Sequence, residues 1–206
     1  AITTVASKMS VIIPITFSLL YDPYDHITNL KLGGIVLALF AVFFTVYRKR
    51  KIDFDPRDLY LPVALFLGMG LIDSIIKLAQ FKYIDNGAST LFSAVLFSIA
   101  ALTGIITNLI RGNSFRTLTK PATLMWGTLL GLGNYGSIYF LILALNQKLP
   151  TGIPIDGSVV FGINNIGIVG LSVLLGLVVF REKLTWLNWM GIVMSFVAIY
   201  ILSYTT

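Results

Sequence analysis

Seven long apolar runs restrict this chain to very few folds. Each is close to the roughly 20 residues that an α-helix needs to cross a bilayer, and none alternates as a transmembrane β-strand does. Only 12% of the 206 residues are charged, against about 25% in a typical soluble domain, so lipid must cover much of the surface. The sequence predicts an all-α, polytopic membrane helix bundle of about seven transmembrane helices. The predicted spans are residues 1–20, 30–47, 59–80, 88–110, 122–146, 155–180 and 187–204.

Positive charges divide the loops between these spans into two groups. Ten of the 15 Lys and Arg residues lie after the second, fourth and sixth spans, and only three lie in the loops on the other side. Because cytoplasmic loops carry an excess of Lys and Arg, the basic loops are predicted to be cytoplasmic and the C-terminus to be outside. The net charge of +6 then reflects membrane topology, and no nucleic acid partner is expected. The ten are Arg48, Lys49, Arg50, Lys51, Arg57, Arg111, Arg116, Lys120, Arg181 and Lys183, and the three are Lys31, Lys82 and Lys148.

Metal and thiol chemistry have almost no candidates in this sequence. There is no cysteine, which excludes disulfides, thiolate metal sites and cysteine nucleophiles, and the one histidine, His26, stands among turn-forming residues. An intramembrane enzyme would need a nucleophile with a base, an aspartate dyad or a metal cluster, and none of the usual motifs is present. We therefore expect no cofactor and no enzymatic activity.

An internal repeat relates the two ends of the chain. Shifting the sequence by 157 residues places Thr28 opposite Thr185 and residues 34–36 opposite residues 191–193, both of which read GIV. The first two spans then match the last two, with three spans between them, so the repeat unit has five helices. Because five is odd, the two copies must cross the membrane in opposite directions. Inverted repeats of this kind are typical of secondary transporters.

This arithmetic predicts a ten-helix inverted-repeat (5+5) architecture, of which the chain holds seven helices. Residues 1–50 are predicted to be the last two helices of the first repeat, and residues 51–206 the complete second repeat. The three opening helices of the first repeat are expected to precede Ala1, which lies inside an apolar run.

Two segments resemble EamA-type members of the drug/metabolite transporter superfamily. Residues 10–17, SVIIPITF, are similar to the family's fourth-helix pattern, and residues 181–191, REKLTWLNWMG, are similar to the turn that leads into its last helix. Arg181 stands where the family's turn usually has glycine. The resemblance covers essentially the whole chain, as helices four to ten of ten. It implies a bacterial inner-membrane protein that carries a small polar metabolite, such as an amino acid or related compound.

Lys8 is the first of three ionisable residues predicted to lie within the membrane. A charge at this depth is unfavourable by roughly 2.5–3.5 kcal/mol, so such residues usually face a cavity or a partner. At the repeat offset of 157 residues the counterpart of Lys8 is Asn165. Polar residues at equivalent places in both repeats suit a central substrate site, where Lys8 would contact a carboxylate or a phosphate. Alternatively, Lys8 only looks buried because it lies close to the start of the chain.

Asp73 and Lys77 are four residues apart in the third span, so they share one helix face. They are predicted to pair and thereby to hold the bundle together. Alternatively, Asp73 takes up and releases a proton while Lys77 or Lys8 binds an anionic group. Both hypotheses place the two side chains toward a cavity.

Uncharged polar residues in the fifth and sixth spans complete the predicted substrate site. They can hydrogen-bond a ligand or bridge helices, where each bond contributes about 0.6–2 kcal/mol. The predicted substrate-binding residues are Lys8, Asp73, Lys77, Asn134, Tyr139, Asn164 and Asn165.

The predicted function is secondary transport of a small polar metabolite by alternating access through a central cavity, as an exporter or exchanger. No nucleotide-binding motif is present, so the substrate gradient or protons would supply the energy. The expected partners are the lipid bilayer, the substrate and, in the proton-driven case, protons. A non-transporting seven-helix protein, receptor-like or structural, is the main alternative, and three similar spans upstream would argue against it.

Overall fold

Helices form wherever the sequence is continuously apolar, because backbone N–H and C=O groups in lipid have no water to bind. The computed structural model describes residues 2–47, 60–84, 87–111, 119–150, 152–181 and 183–205. Within these ranges, seven helical segments are long and apolar enough to cross a membrane, as predicted, and the only β-structure is an isolated bridge between Lys148 and Pro154. The helices are α1 (Ile2–Met9), α2 (Ile12–Tyr21), α3 (Asn29–Val46), α4 (Tyr60–Tyr83), α5 (Ser89–Ile110), α6 (Pro121–Leu145), α7 (Gly157–Val178) and α8 (Trp186–Ser203).

The predicted spans agree with these helices to within a few residues. Six of the basic loop residues, Arg48, Lys49, Arg50, Lys51, Arg57 and Arg116, lie outside the described residues. The same holds for Ala1 and for the predicted boundary between residues 50 and 51.

The first predicted span consists of two helices, α1 and α2, separated by Ser10 and Val11. Together they cover the membrane-length segment Thr3–Tyr21. Pro14 explains the break, because it has no N–H to donate to the Ser10 carbonyl one turn earlier. That carbonyl instead accepts a hydrogen bond of 3.0 Å from the Ile13 N–H, which tightens the turn. The span therefore has irregular backbone inside it.

Helices α3 and α8 form the most extensive helix pair, and they run antiparallel. Their first residues, and likewise their last residues, are separated by 157 positions, the offset of the predicted repeat. A threonine caps each N-terminus: Thr28 accepts from the Lys31 N–H, and Thr185 accepts from the Asn188 N–H. The two helices therefore begin with the same local device.

Two glycines allow α3 and α8 to approach closely, and their contacts are reciprocal. Gly34 of α3 faces Leu202 near the end of α8, while Gly191 of α8 faces Thr45 near the end of α3. Leu202 and Thr45 also match at the repeat offset. A Cβ atom at Gly191 would lie 2.5 Å from the Thr45 amide nitrogen and 2.8 Å from the Ala41 carbonyl oxygen, so a side chain has no room there.

Of the remaining helices, α1 and α7 contact this pair most extensively. The main core joins α2, α3, α7 and α8, with Ile15, Val42 and Val169 among its buried side chains. Helix α4 packs against α1 and α2, where Gly70 accommodates the Ile13 side chain. Helices α5 and α6 expose most of their apolar side chains, as expected of helices that face lipid.

The turn after α7 has a left-handed backbone at Arg181, with a φ of 51°. An L-residue with a side chain is strained in this region, whereas glycine is not. The backbone explains why glycine would suit this turn better than the arginine present.

Replacing Gly191 with alanine is expected to destabilise the protein by about 1–3 kcal/mol, because the new methyl group overlaps backbone atoms of α3. Gly33→Ala is the matched control. An added Cβ at Gly33 meets no atom within 4 Å, and alanine favours a helix over glycine by roughly 1 kcal/mol. Thermal unfolding in detergent micelles should give a lower midpoint for Gly191→Ala and an equal or higher one for Gly33→Ala. Equal losses in the two variants would contradict the close α3–α8 contact.

Candidate functional site

The break between α1 and α2 lies beside three of the predicted site residues. The Lys8 carbonyl oxygen accepts a hydrogen bond of 3.1 Å from Asn165 Nδ2 of α7, and these two residues are 157 positions apart. The half-buried Lys8 side chain also interacts electrostatically with Asp73 of α4. Lys8, Asp73 and Asn165 therefore come together from three different helices.

The predicted pairing of Asp73 with Lys77 is wrong. Lys77 Nζ binds Asp22 Oδ2 at 2.8 Å and Gln80 Oε1 at 3.1 Å, and it lies 5.9 Å from the centre of the Phe81 ring. The spacing of four residues allowed the pair, but the α2–α3 loop supplies a carboxylate that competes for Lys77. Asp73 instead faces the charge of Lys8. Lys77 therefore joins two parts of the fold and lies apart from the Lys8 group.

Asn164 faces a cavity of about 500 Å³ between α6 and the first half of α7. The volume falls within the range of about 300–1,000 Å³ that is typical of small-molecule sites. Ser137, Gln147 and Asn164 supply polar groups to its wall, and none of the described lining residues is charged. Asn164 and Asn165 have different surroundings because successive helix residues point about 100° apart.

Asn134 and Tyr139 are not brought to the Lys8 group. Asn134 is exposed on α6. Tyr139 is half-buried and stacks on Tyr135, with 6.1 Å between the ring centres, and meets Phe140 edge-on at 5.4 Å. Tyr139 thus belongs to an aromatic cluster of α6.

A dense polar network lies at the end of the bundle that holds the α2–α3 and α6–α7 loops, and Asp25 is its centre. The Asp25 carboxylate accepts hydrogen bonds from Lys31 Nζ at 2.8 Å, from Ser18 Oγ at 2.7 Å, and from the N–H and Oγ of Ser158 at 2.8 Å each. Burial alone would raise the pKa of Asp25, but these hydrogen bonds hold it below its usual value. One carboxylate thereby fastens α2, α3 and α7 together.

The Lys31 ammonium group is shared between two carboxylates. Besides Asp25, it binds Asp156 Oδ2 just before α7, and it donates to the His26 carbonyl oxygen at 2.6 Å. Burial raises the pKa of Asp156; the Lys31 charge opposes this shift, while the charges of Asp25 and Asp22 add to it. Asp25 and Asp156 therefore share one cation, but the pKa of Asp25 lies below the usual carboxyl value and the pKa of Asp156 lies above it.

A second branch of hydrogen bonds joins this end of the bundle to α4, α5 and α6. Lys77 connects Asp22 to Gln80, as described above. Gln80 Nε2 then donates to Asn146 Oδ1 at 2.8 Å, and Asn146 Nδ2 donates to Ser89 Oγ at 3.4 Å. The two branches together link six helices, α2 to α7, at one end.

Apart from Lys77, sequence reasoning missed the residues of this network. Lys31 counts among the loop charges, and Asp22 and Asp25 belong to a turn-forming segment. One signal was available: Lys31 lies in the first turn of α3, where the helix dipole disfavours a positive charge. A lysine at such a position indicates nearby carboxylates, but not which ones.

The helices and their apolar surfaces make this chain an integral membrane protein of the all-helical class. No protein-family model and no solved structure matches it. Among curated proteins, an uncharacterized protein of Haemophilus influenzae is 29% identical to it over 203 residues, which is 97% of this chain. The chain spans 65% of that relative's own length. The relative has no assigned function to compare.

Replacing Lys31 with methionine is expected to destabilise the protein by about 3–5 kcal/mol, the usual effect of removing one partner of a buried ion pair. Methionine keeps much of the apolar volume but leaves Asp25, whose side chain is 0% exposed, without its cation. Lys82→Met is the matched control, because Lys82 is exposed in the last turn of α4. Denaturant unfolding in micelles measures both variants, and equal stability would argue against the network.

Proposed function

We propose that the chain forms seven helices of a ten-helix, inverted-repeat secondary transporter that moves a small polar metabolite by alternating access. The observation that carries the proposal is the contact between Lys8 and Asn165. Two residues that match at the repeat offset can touch only if both lie close to the axis that relates the repeats. They meet beside a broken helix, and broken helices form the midplane sites of many transporters.

The antiparallel pair of α3 and α8 supports the same proposal. Helices with matching bounds and reciprocal glycine contacts are what a two-fold axis between inverted repeats would produce. Such an axis lies in the membrane plane, so it relates one end of the bundle to the other. Alternating access needs two such ends that open in turn around a fixed site.

Lys8 and Asp73 favour a zwitterionic substrate such as an amino acid. Their opposite charges attract each other across the contact between α1 and α4. Both residues belong to the described part of the chain, and they form no direct ion pair within 4 Å there. A substrate carboxylate would bind Lys8, and a substrate ammonium group would bind Asp73. The Asn165 amide fixes the Lys8 backbone, and the cavity beside Asn164 offers space on the other face of α7.

The length of the curated relative is compatible with ten helices. It extends beyond the matched segment by about a third of its own length. At roughly 20 residues a helix, this leaves room for three further spans with their loops.

Transport by the full-length protein in proteoliposomes, measured with a panel of labelled amino acids, tests the proposal. Lys8→Ala and Asp73→Asn are each expected to lower the transport rate about 10- to 100-fold, because each removes a hydrogen bond to a charged group worth about 1.5–3 kcal/mol. Lys183→Ala is the control, since Lys183 is exposed before α8.

Normal transport by both site variants would overturn the site. Binding of an amino acid without any transport by the full-length protein would instead favour the receptor-like alternative.

A further inference from the structure

The two ends of the α3–α8 pair are built on equivalent positions but with different chemistry. Lys31 and Asn188 are each the third residue of their helix, and they match at the repeat offset. Asn188 Nδ2 donates to the carbonyl oxygens of Phe44, Thr45 and Tyr47 at 2.9–3.0 Å, which caps the end of α3 without any charge. Lys31 makes its contacts at the opposite end with carboxylates. The Lys31 end therefore has titratable partners, whereas Asn188 contacts backbone groups and the uncharged Thr185 hydroxyl.

The charges at the Lys31 end do not balance. Among the described residues, three carboxylates (Asp22, Asp25 and Asp156) surround two ammonium groups (Lys31 and Lys77). The other titratable groups of these loops, the Tyr24 phenol, the His26 imidazole and the Lys148 ammonium group, belong to exposed residues. One negative charge is therefore in excess, and partial desolvation makes such a charge unfavourable.

Asp156 is the carboxylate at which this excess can be relieved. Asp22 pairs with Lys77 and shares it with no other described carboxylate, and Asp25 accepts four hydrogen bonds. The described contact of the Asp156 carboxylate is with Lys31, which it shares with Asp25, and its side chain is 13% exposed. Water can therefore deliver a proton to Asp156 more readily than to Asp25, whose side chain is 0% exposed.

We propose that Asp156 is a proton-binding site and that its contact with Lys31 forms a latch. The latch holds this end of the bundle closed when the Asp156 carboxylate is protonated. The carboxylate takes one proton from water and becomes a neutral acid, while the Lys31 ammonium group keeps Asp25 as its counterion. The network passes from one excess negative charge to neutrality. Loss of the proton restores the excess charge. Desolvation and the repulsion from Asp25 and Asp22 then outweigh the attraction of Lys31 for the Asp156 carboxylate, and the contact between the start of α7 and α3 loosens.

The direction of the pH effect follows from the two carboxyl groups. Since the pKa of Asp156 is raised in this closed arrangement, its contribution to closure is present at low pH and is lost as the pH rises through that pKa. Since the pKa of Asp25 is lowered, its contribution is present above the usual carboxyl pKa and is lost only as the pH falls through the lowered value. The latch is therefore most stable at pH values between the pKa of Asp25 and the pKa of Asp156, and it opens as the pH rises above the pKa of Asp156.

The latch is connected to the cavity by one short turn. Ile155 and Val159 line the cavity, while Asp156 and Ser158 between them hold the network. Movement of this turn on release of Lys31 therefore moves the cavity wall. The proposal deepens the proposed function, on which it rests, by assigning proton control to one of the two ends.

Spin labels across the latch test this directly in the full-length protein in nanodiscs. This sequence has no cysteine, so Tyr24→Cys and Lys148→Cys, both exposed, place labels in the α2–α3 and α6–α7 loops. Double electron–electron resonance from about pH 4 to about pH 9 covers the range above the usual aspartate pKa of about 3.9. The longer-distance population should grow as the pH rises. The open-to-closed ratio should change by about tenfold for each unit by which the Asp156 pKa differs between the two states.

Asp156→Asn is expected to keep the shorter distance at every pH, because the amide is neutral like the protonated acid. Asp156→Glu should restore a pH response with a shifted midpoint. Lys82→Gln, which removes an exposed charge at the same end, should behave like the parent protein.

Three outcomes would overturn the latch: a pH response that persists in Asp156→Asn, no pH response in the parent protein, or the same change in distance produced by sodium at constant pH. The distance measurement needs no transport: a working latch without transport would refute the proposed function alone, and transport with a pH-insensitive latch would refute only the latch.

Discussion

The arrangement of the helices depends on the buried carboxylate of Asp25. A charge out of water is tolerated only when it is paired and hydrogen-bonded. Here the Ser18, Lys31 and Ser158 side chains and one backbone N–H all converge on it, from α2, α3 and α7. Moving any of these helices would leave part of the charge unsatisfied. The α2–α3 loop is therefore fixed against the start of α7, and the positions of Asp22 and Asp156 follow from that.

Nearly equivalent backbone at the two ends of α3 and α8 carries different side-chain chemistry. Gly34 and Gly191 set the spacing of the two helices, and Thr28 and Thr185 begin them in the same way. What differs is the third residue of each helix, an ammonium group at one end and an amide at the other. An amide bound to carbonyl oxygens does not titrate between pH 4 and pH 9, whereas an ammonium group shared by two carboxylates responds to protonation of either. Similar backbone at the two ends thus permits different side-chain chemistry.

The sequence predicted the helices well and the pairing of charges poorly. The spans follow from hydropathy and length, which are local, and the break at Ser10 could be anticipated from Pro14. The predicted pair of Asp73 and Lys77 is wrong because the spacing along a helix determines which residues share a face. It does not determine which loop contacts that face. Asp22 lies 55 residues from Lys77 in the chain and still takes its charge. The prediction that Asn134 and Tyr139 bind substrate rests on their polarity alone, and the fold does not bring them to Lys8.

The sequence by itself determined that this chain is a bundle of membrane-spanning helices, because apolar runs of this length in lipid can satisfy their backbone only as helices. The order of residues also predicts a repeat with an offset of 157 residues between the first and last spans. Only the tertiary structure decided which charges meet. A buried ion pair depends on the distance between side chains from separate helices and on the water excluded around them, and neither quantity is written in any one segment of the chain.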